Sequence, residues 1–274
     1  MDMHGNPLDA FSLKRSWGSS GVTMDTGTPR QNHEGDFIYG GVIFNHYGHF
    51  LLETLARNWF IRLARHDMPI VWHSFMSLSN LSGWQKEIFG LIGIDISRIL
   101  IAKQSSRIER CICPDPGYFV QTWADDAHAK SLTVIRQRSG AKTKIWLSRS
   151  RLDSENGRVI NEDDLEVELE RLGWTIFHAQ EFSVKDQLEV LSGAEHIAGF
   201  EGSALHTLIL LETRAKITIF RRNNNPLNQN FVTISRAKQL DQTIISPPLA
   251  KISGSGAKTS SEILDLEFII ESLR

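Results

Sequence analysis

Apolar residues fall into short runs separated by amphipathic stretches, most regularly in the second half of the chain. Residues 144–148 (KIWLS), 174–177 (WTIF), 196–200 (HIAGF) and 216–220 (KITIF) are compact apolar runs suited to buried strands. Between them, residues 161–172 (NEDDLEVELERL) place Leu165, Leu169 and Leu172 on one helical face. Asn161 is positioned to cap that helix, Glu162, Asp163 and Asp164 suit its positive first turn, and Gly173 suits its stop. Ser183 opens a second helix with Val184, Leu188 and Leu191 on its apolar face and Gly193 at its end, and residues 203–211 predict a third. Short buried strands alternating with helices imply a parallel sheet with helices on both faces, a Rossmann-like α/β layer. No GxGxxG follows any of these strands, so the dinucleotide-binding fingerprint is missing.

The first half is less regular and of the same kind. Strands are expected over residues 37–44, 69–72, 98–101 and 107–112. A helix is expected over 50–64, with Leu51, Leu55, Trp59 and Leu63 on one face, and another over 125–137. The small polar stretch at residues 139–142 (SGAK) marks a boundary. The expected organisation is an N-terminal Rossmann-like lobe (1–139, with 1–36 polar, Gly-rich and irregular), a C-terminal Rossmann-like lobe (140–258) and a closing helix (259–274). The apolar residues Ile263, Leu264, Leu266, Ile269 and Ile270 of that helix are expected to pack against the first half. No internal repeat or low-complexity tract is visible.

Composition narrows the function classes. The 274 residues are 41% hydrophobic and 23% charged, as in a globular chain with a sizeable core, and the net charge of −2 gives no electrostatic reason to expect nucleic acid as a partner. No run of about 18 apolar residues predicts a membrane-crossing helix, and residues 1–20 lack the apolar core of a signal peptide. A cytoplasmic protein is expected, for which peripheral membrane contact stays open; the sequence does not fix the oligomeric state. Cys111 and Cys113 form no CxxC pattern and read as reduced thiols at a strand end.

Three segments could carry chemistry. Residues 200–206 (FEGSALH) join a strand to a helix, where an open parallel sheet binds ligands. Gly202, Ser203 and Ala204 let backbone approach a ligand, and the amides of the helix start favour phosphate. Glu201 would repel a phosphate and better accepts hydrogen bonds from sugar hydroxyls; the alternative is a tight turn with no ligand. Arg149 and Arg151 follow a strand, with Arg158 a short loop later, and their forked guanidinium groups suit a pyrophosphate; the alternative is a solvated basic loop. Residues 45–49 (NHYGH) precede the long helix, and His49 shares a helical face with Glu53 at i+4. A carboxylate beside an imidazole makes a general base. Zinc on His46, His49 and Glu53 matches no established spacing, and HExxH is absent; the histidines could also merely cap the helix. Asp125 and Asp126 read as a helix start rather than a metal-binding pair. Asp95, His73 and His128 stand alone and receive no role.

Together these segments resemble glycosyltransferase family 61, a group that includes bacterial capsular-polysaccharide proteins and eukaryotic N-acetylglucosaminyl- and xylosyltransferases. The likeness runs through NHYGHFLLETLARNW (45–59), LSRSR (147–151), RVINEDDL (158–165), EFSVKDQLEVLSGAEHIAGF (181–200) and EGSALHTLIL (201–210). The resemblance implies a two-lobed GT-B architecture and an inverting, metal-independent transfer from a nucleotide-sugar donor to a glycan acceptor, with no cofactor besides that donor. His49 and Glu53 would be catalytic. Arg149, Arg151, Arg158, Glu201, Gly202, Ser203 and Ala204 would hold the donor, with Asn45, His46, Glu162 and His206 as further candidates; Glu162 would contact the donor or hold the loop in place. The family turn usually reads His-Gly-Ala-Gly-Leu-Thr-Asn, so its His and Asn are replaced here by Glu201 and Thr207, which bears on donor identity. Two other classes are a non-catalytic nucleotide- or glycan-binding module of the same fold, which would lack a working base, and a phosphotransferase, against which the absence of GxxxxGK[ST] speaks.

Overall fold

The computed structural model describes residues 13–15, 18–20, 29–64, 67–74, 80–102, 106–152, 157–255 and 258–274. The chain forms two compact units, Met1–Val134 with Val232–Lys238, and Ile135–Phe231 with Gln239–Arg274. Both are mixed α/β units containing a parallel sheet. Most of the stretch expected to be irregular, 1–36, lies outside the described residues, but residues 31–36 belong to a strand.

In the first unit, β1 (Gln31–Val42), β2 (Ile70–His73), β3 (Ile99–Ala102) and β4 (Ser106–Ile112) form a parallel sheet of order β3-β2-β1-β4. Ile38, Ile70 and Trp72 are fully buried. Trp72 packs on Phe89 (ring centroids 5.1 Å apart) and Phe89 on Phe50 (5.2 Å), which brings α1 (Gly83–Leu91) and the chain after β1 into the same core. The chain after β1 departs from the expected single helix. Residues 47–49 begin an α-turn, 50–54 form a π-helical turn in which Leu55 N–H donates to Phe50 O (3.2 Å), and α-helix resumes only at Asn58–Ile61. A π-turn inserts one residue into the helical repeat and rotates everything after it by about 100°. Leu51 and Leu55 are therefore buried as the spacing predicts, whereas Leu63 is 79% exposed. The helix expected over 125–137 is also shorter: α2 (Asp126–Ser131) is capped by Asp125, whose carboxylate accepts from Ala127 N (2.7 Å) and His128 N (3.4 Å), and residues 135–136 are a two-residue strand. Cys111 and Cys113 are half-buried free thiols at the end of β4.

In the second unit the expected elements occur with small shifts of boundary: β5 (Thr143–Leu147), α3 (Glu162–Arg171), β6 (Trp174–Phe177), α4 (Val184–Ser192), β7 (Ala194–Phe200) and β8 (Lys216–Phe220). The pattern did not show α5 (Asn230–Lys238), which spans the boundary of the two units, or β9 (Asp241–Ile245). The sheet is wholly parallel, of order β6-β5-β7-β8-β9. Its strands read as unbroken apolar runs because both faces are buried: Ile145, Trp146, Ile197, Ala198, Ile217 and Ile219 have no exposed surface. The Ser183 hydroxyl accepts from Asp186 N (3.1 Å) as the cap of α4, and Gly173 ends α3 with φ +81°, a left-handed turn suited to glycine. Residues 203–210 are a 3₁₀-helix rather than an α-helix.

The carboxyl-terminal stretch differs from expectation in two ways. Residues 260–263 form a strand, and only Leu266–Ser272 (α6) is helical. Its residues Ile269 and Ile270, with Leu273, pack with Trp146, Leu165, Leu169 and Phe200 in the core of the second unit, not in the first half. Asn161 does not cap α3. Its Nδ2 donates to Ile263 O (3.0 Å) and its Oδ1 accepts from Ile263 N (2.8 Å), so both halves of the amide fasten the 260–263 strand.

Candidate functional site

Each sheet presents one cluster of chemistry-bearing residues after the carboxyl end of a strand. In the first unit, β1 ends at Val42 and leads through Phe44, Asn45 and His46 into the α-turn. That loop is held by Thr54 Oγ1, which accepts from Phe44 N (3.0 Å), and by the fully buried Gln85, whose Nε2 donates to Phe44 O (3.1 Å). Asn45 and His46 are exposed. His49 Nδ1 is hydrogen-bonded to Glu53 Oε2, joining a ring that keeps 40% of its surface to a carboxylate that keeps 4%. Phe44 and His46 flank the His49 ring, with centroids 5.5 and 5.1 Å away. Partial burial and the neighbouring His49 hold the His46 imidazole below its usual basicity. Burial, and secondarily the charge of Glu53, raises the Tyr118 phenol far above its normal range. With Glu53 accepting the Nδ1 proton, Nε2 of His49 is left as the basic nitrogen, the arrangement a general base needs. Among the described residues no three His, Cys, Asp or Glu side chains gather as a metal site.

In the second unit the sheet order reverses between β5 and β7, the place where open parallel sheets leave a crevice at their carboxyl ends. Arg149 follows β5 and Gly202 follows β7. The two touch so closely that a Cβ on Gly202 would lie 2.3 Å from Arg149 Nη1. Gly202 itself is extended (φ −175°), so close approach, not backbone conformation, requires glycine here. Arg149 is 8% exposed, and its Nη2 donates to Gly157 O (3.1 Å). Burial, and then the nearby Arg222, lowers its pKa to about 10. Ser203 and Ala204 are half-buried at the start of the 3₁₀-helix. Glu201 is 8% exposed; burial raises its pKa, while the Arg222 amide (3.5 Å) and the charges of Arg221 and Arg222 oppose the rise.

The remaining sequence candidates fall elsewhere in this unit. Arg151 is exposed and bound to Glu181 (3.1 Å). Arg158 Nη2 donates to Ser150 O (2.7 Å), tying the loop after β5 to itself. His206 is buried with its ring 5.1 Å from Phe231. Glu162 is fully buried and accepts from Trp146 Nε1 (3.0 Å) and from Arg149 N (3.1 Å), so it fixes the backbone that carries Arg149. Sequence reasoning missed Arg222, whose Nη1 donates to the same Gly157 O (3.0 Å). The signal was available, because Arg221 and Arg222 follow a buried strand just as Arg149 and Arg151 do.

Burial raises the Glu162 carboxyl from its ordinary 4.5 to about 7. Between those values the native state keeps a proton the unfolded chain has released, so stability contributed by this group falls as pH rises, by on the order of 3 kcal/mol. His73, His128 and His196, each lowered to about 4 mainly by burial, act with the opposite sign: they favour the native state as pH rises from 4 to 6.5. Three such groups outweigh one below pH 6.5, so the Glu162 contribution shows only in a difference. Glu162→Gln keeps an acceptor oxygen for Trp146 and Arg149 and removes the titration. The melting temperature of wild type minus that of this variant is expected to decline from pH 5 to pH 8, and parallel profiles would show that Glu162 stays ionised throughout.

Each unit thus has a parallel sheet with polar side chains after a strand end, the His49–Glu53 pair in the first and the buried Arg149 in the second. A family model described as Glycosyltransferase 61 matches residues 47–218, and the chain belongs to glycosyltransferase family 61, as the resemblance of its motifs indicated. Membership implies glycosyl transfer, with a donor and an acceptor as substrates. No curated protein matches the chain. Among the described residues no helix is long and apolar enough to cross a membrane.

Proposed function

We propose that the chain is an inverting, metal-independent glycosyltransferase of GT-B type, moving a sugar from a nucleotide-sugar donor to a glycan acceptor. The observation that carries this reading is the contact of the buried Arg149 guanidinium with Gly202 at adjacent strand ends, where the sheet order reverses. A cation held in that crevice with glycine backbone beside it suits the phosphates of the donor. Arg149, with the amides of residues 202–204, stabilises the negative charge that grows on the leaving phosphate, which is work a metal ion does in other transferases. Arg151, Arg158 and Glu162 support the loop that carries Arg149, and Glu201 accepts hydrogen bonds from donor hydroxyls. His49, oriented by Glu53, takes the proton of the acceptor hydroxyl as its oxygen attacks the anomeric carbon opposite the leaving group, which inverts that centre.

Transfer and donor binding are expected to persist in excess EDTA. Loss of activity with EDTA and its rescue by manganese would contradict metal independence. Donor binding without transfer to any glycan acceptor would instead favour a non-catalytic binding module.

A further inference from the structure

The chain's two cysteines, Cys111 and Cys113, stand two residues apart at the carboxyl end of β4, an edge strand of the first sheet. Residues i and i+2 of a strand face the same side. The rise of an extended chain sets their Cα atoms about 6.6 Å apart, within the range of about 4.4–6.8 Å that a disulfide spans. Both side chains are half-buried free thiols, and both pack on the cluster of Phe37, Tyr39 and Val71. Cys113 Sγ lies 3.7 Å from Cys111 O, and the two thiols are hydrogen-bonded to each other.

Arg57 is fixed beside this pair. Its Nε donates to the carbonyl of Pro114, the residue after Cys113 (2.8 Å), and its guanidinium lies over the Tyr39 ring, 5.0 Å from the centroid. The neighbouring Ala56 O accepts from Gly117 N (2.7 Å), which fastens the same two segments together. A thiolate is favoured by a hydrogen-bond donor and by a nearby cation. The Cys111 thiol supplies the first and Arg57 the second, and together they lower the pKa of Cys113 against the opposing effect of burial. The same hydrogen bond, with burial, raises that of Cys111. The pair is thereby divided into an attacking thiol and a resolving one.

We propose that Cys111 and Cys113 form a reversible oxidation site, which closes to an intramolecular disulfide on reaction with a low-molecular-weight disulfide such as oxidised glutathione. The Cys113 thiolate attacks one sulfur of that disulfide, whose S–S bond breaks and releases one glutathione thiolate. The charge on Cys113 is then gone, and Cys111 no longer shares its proton with it. Cys111 gives that proton to solvent, its sulfur attacks Cys113 Sγ, and the second glutathione leaves. Two protein thiols are oxidised and one external disulfide is reduced to two thiols. The site uses neither the His49–Glu53 pair nor Arg149, so it stands apart from the proposed transfer reaction.

The test uses the folded, reduced protein. It is incubated with oxidised glutathione, the remaining thiols are trapped with iodoacetamide, and trypsin then leaves both cysteines on the peptide 111–130. That peptide is expected unlabelled and lighter by two hydrogens, and dithiothreitol should restore the dithiol. Cys111→Ser should stop at a glutathione adduct on Cys113, and Cys113→Ser should react more slowly. In a short pulse of iodoacetamide at pH 7, wild-type Cys113 should be labelled about threefold or more faster than Cys111. The reason is that a pKa one unit lower gives about tenfold more thiolate, offset roughly threefold by weaker nucleophilicity. Two thiols that stay free, glutathione on both sulfurs without ring closure, or labelling of Cys111 as fast as Cys113 overturns the proposal. Ring closure only after the protein has melted does the same. Wild type carries the test if either serine variant fails to fold.

Discussion

Replacing His49 with alanine is expected to lower turnover by about 10²–10⁴, the usual contribution of a general base, while nucleotide affinity stays within a few-fold of wild type. The split follows from placement. His49 and Glu53 belong to the unit formed by Met1–Val134 with Val232–Lys238, and the buried Arg149 belongs to the other. Glu53→Gln should give a smaller loss of turnover, because the amide can still orient the ring but no longer stabilises an imidazolium. Steady-state kinetics on both variants, beside nucleotide titration, separates the two effects. Loss of nucleotide binding in His49→Ala with turnover intact at saturation would place the histidine with the donor.

Replacing Arg149 has the second large effect, and on binding rather than turnover. Removing a charge-assisted donor costs roughly 1.5–3 kcal/mol, so Arg149→Ala should weaken nucleotide binding by about tenfold to more than a hundredfold. Gly202→Ala should give the same phenotype without touching the charge. The added methyl group would stand 2.3 Å from Arg149 Nη1, so the guanidinium must move. Arg151→Ala should do much less, because its side chain is exposed and paired with Glu181 in water, where an ion pair contributes little. Titration of the three variants with one nucleoside diphosphate ranks them. A stronger loss in Arg151→Ala than in Arg149→Ala would reverse the order expected from their burial.

The second unit was legible in the sequence for a physical reason. A strand covered on both faces must be apolar throughout, so KIWL, WTIF and KITIF stand out against polar surroundings, and a short-range signal such as Ser183 before an apolar helix is local. What was not legible depends on contacts distant in sequence or on irregular backbone. Asn161 has the right type and place for a cap, but its partner Ile263 lies 102 residues away. Nothing in residues 50–64 marks the π-turn that turns Leu63 outward. In the candidate site, residue types and strand ends pointed to the Arg149 loop, the Gly202 turn and the His49–Glu53 pair. Burial then distinguishes Arg149 from Arg151, and Glu162 emerges as the group that anchors the Arg149 backbone. Arg222 was overlooked although it follows the same kind of strand.

The most direct measurement of the central claim is release of free nucleotide from a panel of UDP-, GDP-, CMP- and dTDP-sugars, with and without glycan acceptors, followed by mass spectrometry of the glycan. Acceptor-dependent nucleotide release and a glycan heavier by one sugar are expected from wild type, with His49→Ala reduced by about 10²–10⁴. A chain that binds a nucleotide-sugar tightly yet adds no sugar to any acceptor, or that transfers equally well without His49, would contradict the claim.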